Sequence, residues 1–226
     1  MKIWMKLSLL VILLAGCQKV IDWVDFIKWN GKNYYVIFSG ALADDQYVGN
    51  QIGTVKFKVA DNVTSSSYKI KDGDAAFHEK GTNIYALEGQ EDMIAVKDEQ
   101  AINGYRVYYE NEGNDYKWHF KDLPSDEVKK VEIYEAYATE GSKRINEITK
   151  NEDIQSLLDL LKNSQEDANF QPNIDNGDPS FYEIVLHTNE PIAYKYVVQF
   201  DGVTYTWAPW DTEILSDEIK QFIPNN

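Results

Sequence analysis

Three histidines, His78, His119 and His187, and 37 carboxylates are the side chains whose types suit metal binding or proton transfer. The histidines are far apart and no His-Glu-x-x-His spacing joins them, so a zinc site would need all three to meet in space. Two loops, Asp72-Gly73-Asp74 and Asp175-Asn176-Gly177-Asp178, gather oxygen ligands of the kind Ca²⁺ takes. Neither leads to the glutamate of an EF-hand loop, and Asx-Gly clusters serve equally as plain turns. With 37 acids, proximity in sequence singles out no pair as a glycosidase acid and nucleophile. There is no Gly-x-Ser-x-Gly elbow and no glycine-rich phosphate loop. These residues point to a non-catalytic chain with no metal and no cofactor. The aromatics remain: in Trp207-Ala208-Pro209-Trp210, alternation sends Trp207 inward and leaves Trp210 in a loop. A loop tryptophan either anchors a ligand or partner or covers an edge of the adjoining sheet.

The only cysteine, Cys17, closes Leu14-Ala15-Gly16-Cys17. Lys2 and Lys6 precede an apolar run over 7–14, and Ala15-Gly16 supplies the small residues a signal peptidase requires. The segment resembles the type II signal peptides of bacterial lipoproteins. That resemblance implies a signal peptide over 1–16, a diacylglyceryl thioether on Cys17 and a tether over 17–24. The apolar run is too short to span a bilayer, which takes roughly 20 residues. Two acyl chains anchor stably at ~0.8 kcal/mol per buried CH₂, where a single chain binds only marginally. The expected location is therefore the outer face of a cell membrane. With Cys17 lipidated no thiol is left for a disulfide, and about 210 residues can build a sufficient core without one.

Hydrophobic content of 43% and aromatic content of 13% describe a globular chain. Its formal charge is −15, or −17 once Lys2 and Lys6 leave with the leader. A surface this acidic repels nucleic-acid phosphates and anionic headgroups, so membrane attachment falls to the lipid. The acids are spread along the chain, which suits a soluble monomer. An affinity for cationic partners is the alternative.

Residues 25–122 read as a β-rich domain, a small barrel or sandwich-like sheet. Phe26-Ile27-Lys28-Trp29 and Tyr34-Tyr35-Val36-Ile37-Phe38 flank Asn30-Gly31, a hairpin dipeptide. An alternating strand is expected over 53–59, with shorter ones at 75–77, 83–87, 93–96 and 105–109. Lys121-Asp122-Leu123-Pro124-Ser125-Asp126-Glu127 marks a boundary. Beyond it, 128–226 reads as an α+β domain with an antiparallel sheet and two helices, making the whole chain α+β.

In that second half, Val131 and Ile133 lie on a strand, and Thr149-Lys150-Asn151-Glu152 has the form of a capping box. It opens a helix whose apolar face is Ile154, Leu157, Leu158 and Leu161. A polar loop over 163–179 precedes strands at 181–187, 193–200 and 203–207. Taking Asp201-Gly202 as the turn pairs Phe200 with Val203, Val198 with Tyr205, and Tyr196 with Trp207 on one face. Ser216 caps a final helix that turns Ile219, Phe222 and Ile223 inward and stops at Pro224.

In its order of elements the chain resembles uncharacterised lipoproteins of Bacillus and related Gram-positive bacteria. The residues that carry this are the lipobox, Trp29-Asn30-Gly31-Lys32, Asp72-Gly73-Asp74-Ala75-Ala76-Phe77 and Gly81-Thr82-Asn83-Ile84-Tyr85. The resemblance implies a location and no particular activity. The function expected is non-catalytic binding of an envelope protein or small extracellular ligand, with Trp210 as the candidate contact. A cell-wall enzyme or accessory factor using paired carboxylates is the alternative. Replacing Cys17 with serine is expected to abolish lipid labelling and release the protein from the membrane fraction; unchanged retention would contradict a lipid anchor.

Overall fold

Asn30 (φ 50°) and Gly31 (φ 79°) both sit in the left-handed region, as a two-residue hairpin turn that matches strand twist requires. They join β1 (Phe26–Trp29) to β2 (Lys32–Val36) in the expected register, with Trp29 opposite Lys32 and Phe26 opposite Tyr35. The computed structural model describes residues 21–112, 115–137, 141–175 and 177–224; the leader and Cys17 lie outside them. The other strands of the first half are β3 (Gly40–Leu42), β4 (Val48–Thr54), β5 (Phe57–Lys58), β6 (Asp74–Ala75), β7 (Asn83–Leu87), β8 (Gln90–Lys97) and β9 (Tyr105–Glu110). The second half contributes β10 (Lys130–Tyr137), β11 (Gly141–Ile148), α1 (Asn151–Lys162), β12 (Gln165–Glu166), β13 (Ser180–His187), β14 (Ile192–Phe200), β15 (Tyr205–Trp207) and β16 (Glu213–Ile214).

The protein is β-rich. Its first sheet has the order β4-β7-β8-β9-β2-β1-β6-β5, and its second β11-β10-β13-β14-β15-β16-β12 with β3 added against β14. The alternating run over 53–59 does not form the single strand expected of it. Thr54 ends β4 opposite Asn83 of β7, and Phe57 begins β5 beside Asp74 of β6. These are the two outer strands of one sheet, yet only Val55 and Lys56 separate them, so the sheet must curl until its edges meet. The result is a half-barrel. It encloses Ile27, Val36, Val55, Ile84, Ile94, Val96 and Tyr108.

Beside the second sheet the helix expected after Thr149-Lys150 forms, with Ile154, Leu157, Leu158 and Leu161 buried. The capping box does not form: Lys150 takes the N-cap position and no side chain caps it. Strand β11 runs to Ile148, so Thr149 and Lys150 are spent on the connection and the helix starts one residue later than the box needs. The expected second helix is a short 3-10 segment, Asp217–Gln221, although Ser216 does cap it through Glu218 N and Ile219, Phe222 and Ile223 are buried. Five residues before a proline give too few hydrogen bonds to repay α-nucleation. The polar stretch over 163–179 also contains β12, which pairs with β16.

The β14–β15 hairpin keeps its faces but not its expected register. Phe200 lies opposite Tyr205 and Val198 opposite Trp207. Asp201 N donates to Thr204 O at 3.3 Å, so the turn centres on Gly202-Val203, with Gly202 at φ 91°. The Asp201 carboxylate selects this turn by accepting from Val203 N (2.9 Å), Thr204 N (2.7 Å) and Asn173 N (2.8 Å). Moving the turn centre by one residue shifts the pairing by two, which preserves which side chains point inward.

The largest apolar cluster lies on the inner face of the second sheet. Leu157, Leu158 and Leu161 of α1 meet Ile184, Leu186, Tyr196, Val198 and Trp207, while Leu42, Leu87 and Val107 enter from the first half. Trp207 is 3% exposed within it. Trp207→Ala is expected to cost about 3–5 kcal/mol in chemical denaturation. Val203→Ala, at the exposed turn tip, should stay within ~0.5 kcal/mol.

Candidate functional site: an aromatic cleft

Trp207 lies edge-to-face on Phe120 (4.8 Å between centroids, 84°) and on Tyr196 (5.7 Å, 79°), and Phe120 meets Tyr196 at 5.6 Å and 89°. Such T-shaped pairs contribute about 0.5–1.5 kcal/mol each beyond area burial. The Trp207 indole N–H donates to Ser164 Oγ at 3.0 Å, which fixes the ring's rotation. Ser164 also hydrogen-bonds the Glu213 carboxylate. The segment carrying Phe120 is held from β14: Tyr196 Oη donates to Trp118 O at 3.0 Å, and Tyr194 Oη points at the carbonyls of Lys117 (3.3 Å) and Asp122 (3.2 Å). Burial raises both tyrosines' pKa values, so each hydroxyl keeps the proton it donates.

Above this ring cluster opens a cleft of about 420 Å³. Leu161 and Trp207 form its buried floor, and His119, Phe120, Lys121, Lys162, Pro209, Trp210 and Glu213 complete its lining. Trp210 is 77% exposed and stands just past Pro209. Among the described residues its ring meets only that of His119, at 5.2 Å and 60°, while His119 in turn meets Tyr116 at 4.9 Å. The indole therefore has a broad apolar surface open to solvent. The volume falls in the range of small-molecule sites, and the lining has the usual mix of apolar walls and few polar groups.

No protein-family model, curated protein or solved structure matches this chain significantly.

Of the residues singled out from sequence, the structure brings Trp210 and His119 together and keeps the other histidines elsewhere. His78 Nε2 is 2.7 Å from Tyr108 Oη inside the half-barrel, and burial lowers its pKa. Tyr108 Oη donates to Asp25 Oδ1 (3.1 Å), and Arg106 donates to Asp25 Oδ2 at 3.3 Å. His187 Nε2 is 2.8 Å from Glu132. Among the described residues no group of three His, Cys, Asp or Glu side chains is arranged to hold a metal. In the first acidic loop, Asp74 Oδ2 accepts from Tyr68 Oη (2.9 Å) and Lys71 N (2.7 Å), and Asp72 accepts from Gly31 N (2.9 Å). In the second, Asp175 N donates to Asn173 (2.8 Å), and Asn176 is outside the described residues.

The cleft residues not singled out from sequence are Phe120, Lys121, Leu161, Lys162, Pro209 and Glu213. Leu161 read only as core, and Lys121 only as part of a boundary. The aromatic run Trp118-His119-Phe120 just before that boundary is the signal that could have disclosed this wall.

A second constellation lies on the opposite face of the sheet. Glu132 is 3% exposed and accepts from Arg144 (2.6 Å), His187 (2.8 Å), Lys130 (3.1 Å) and Tyr134 (3.1 Å). Burial alone would raise its pKa; the hydrogen bonds of His187, Lys130 and Arg144 outweigh that and hold the carboxyl well below its ordinary range. Every acceptor site is used, which marks a structural hub. Because the folded pKa is depressed, the stabilisation is complete above the ordinary value of 4.5 and is lost as pH falls below it. Glu132→Gln is expected to cost about 2–3 kcal/mol near neutral pH. In denaturation series across pH, the gap between variant and wild type should narrow steadily below 4.5; a gap constant with pH would contradict the assignment.

Proposed function

We propose that this chain is an exported, lipid-anchored, non-catalytic binding protein on the outer face of a bacterial membrane. In this reading Cys17 carries the lipid, residues 17–24 form the tether, and the chain works as a monomer. A barrel-like domain over 25–122 leads to an α+β domain over 128–226 that presents the Trp210 cleft to a small extracellular ligand or an envelope protein. The observation that carries the binding role is Trp210 itself: a tryptophan 77% exposed at the rim of an apolar cleft, on a floor locked by Trp207, Phe120 and Tyr196. Exposed aromatics over pre-formed apolar walls are typical of recognition sites. A glycosidase needs two carboxylates. The cleft lining contains one, Glu213, which is engaged by Ser164.

A thermal-shift screen of a small-molecule library against the wild-type protein and Trp210→Ala tests this. A ligand that binds the folded state raises the melting temperature by mass action. Compounds are expected that stabilise the wild type and lose their effect in Trp210→Ala, while the unliganded variant melts as the wild type does. Hits that ignore the substitution, or a screen with none, would overturn the assignment of the cleft.

A further inference from the structure

The lining of this cleft carries more bases than acids, the reverse of the chain as a whole. Acids outnumber bases by 37 to 22 overall, yet the ionisable lining consists of Lys121, Lys162, His119 and the single carboxylate Glu213. Glu213 is committed to Ser164, whose hydroxyl also accepts from Trp207 Nε1. Neither lysine has a salt-bridge partner among the described residues, although 37 carboxylates are available to the fold. Salt bridges among the described residues engage Lys32, Lys56, Lys58, Lys130 and Lys195, so both lysines of the cleft keep their charge available to a ligand. The lysines of the cleft reach it from different elements, Lys162 from the last turn of α1 and Lys121 from the 3-10 turn Phe120–Asp122.

Resting on the proposed binding role of this cleft, we infer that its ligand is an aromatic carboxylate: a flat ring that lies against Trp210, with a carboxylate met by Lys121 and Lys162. The lining selects both halves of that description. Trp210, Phe120, Leu161, Trp207 and Pro209 provide apolar and aromatic surface for a ring. Sugars are recognised by several carboxylates and amides arrayed alongside such rings; this cleft has no Asn, Gln, Asp or Arg in its lining, and its one carboxylate, Glu213, is bonded to Ser164. Two cations at the rim favour a negative group, and the surrounding acidic surface favours a ligand that places its charge there and nowhere else. The same chemistry is offered by a free aromatic acid and by the C-terminal residue of a polypeptide ending in Phe, Tyr or Trp.

The test uses N-acetyl-L-phenylalanine, its uncharged amide, and the peptide Gly-Gly-Gly-Gly-Phe with a free carboxylate, each titrated by intrinsic tryptophan emission. The acid is expected to bind saturably at millimolar concentration or below, and the amide about tenfold more weakly. Replacing Lys121 and Lys162 together by serine should bring the acid down to the amide's affinity and leave the amide unchanged. Raising the salt concentration should weaken the acid alone. Binding of the peptide tighter than that of the acid assigns the site to a polypeptide terminus, and weaker binding assigns it to a free acid. Equal binding of acid and amide, lost in Trp210→Ala, would overturn the carboxylate while leaving the cleft as a binding site. No saturable binding of the acid would overturn the inference outright, and the library screen then decides separately whether the cleft binds anything.

Discussion

The inner face of the second sheet is apolar across five neighbouring strands, and among the described residues one twelve-residue helix is the α-structure that covers it. Much of the local architecture follows from that shortage. Helix α1 covers part of the sheet with four buried side chains. Further cover comes from Leu87 and Val107 of the first half, from Ile219, Phe222 and Ile223, and from the stretch between the sheets, which contributes Trp118, Leu123 and Val128 and packs Phe120 against the cluster. A connecting segment used in this way cannot wander, and the hydroxyls of Tyr194 and Tyr196 take up its carbonyls. The wall of the cleft is thus a by-product of core coverage: His119, Phe120 and Lys121 stand at its edge because their neighbours are anchored beneath.

Local chemistry made part of this fold legible in the sequence. Asn30-Gly31 required a turn with two positive φ angles and made one. The spacing of Ile154, Leu157, Leu158 and Leu161 described a helix face that is buried. Legibility stopped where the outcome depended on distant partners. The run over 53–59 alternates throughout, but alternation cannot say that its first residues pair with β7 and its later ones with β6. At Asp201-Gly202 the dipeptide was right and its position in the turn was not, because the Asp201 carboxylate is held by the amides of Val203, Thr204 and the distant Asn173 together. The two-residue strands β12 and β16 carry no periodicity at all.

The candidate site divides in the same way. Trp210 was visible because a tryptophan just past a proline, at the end of a strand, leaves the sheet. Its companions were not, since Leu161 and Trp207 are also core residues and nothing local distinguishes a floor from an interior. The unpaired lysines were equally hidden: a salt bridge, or its absence, is a fact of three-dimensional placement. Charge balance along the sequence pointed to an acidic surface, and a cleft lined by more bases than acids escapes such an average.

The position of β1 has a mechanical consequence. The described chain enters the first sheet through this strand, which lies inside the sheet and not at its border, with β2 on one side and β6 on the other. The carbonyls of β1 and of the residue before it are engaged in both directions: Asp25 O by Val36 N, Phe26 O by Ala76 N and Lys28 O by Gly73 N. Tension applied at the N-terminal end therefore cannot peel away an edge strand. It must first pull β1 out from between two neighbours, so the half-barrel resists load at the very end from which a tethered protein would be held.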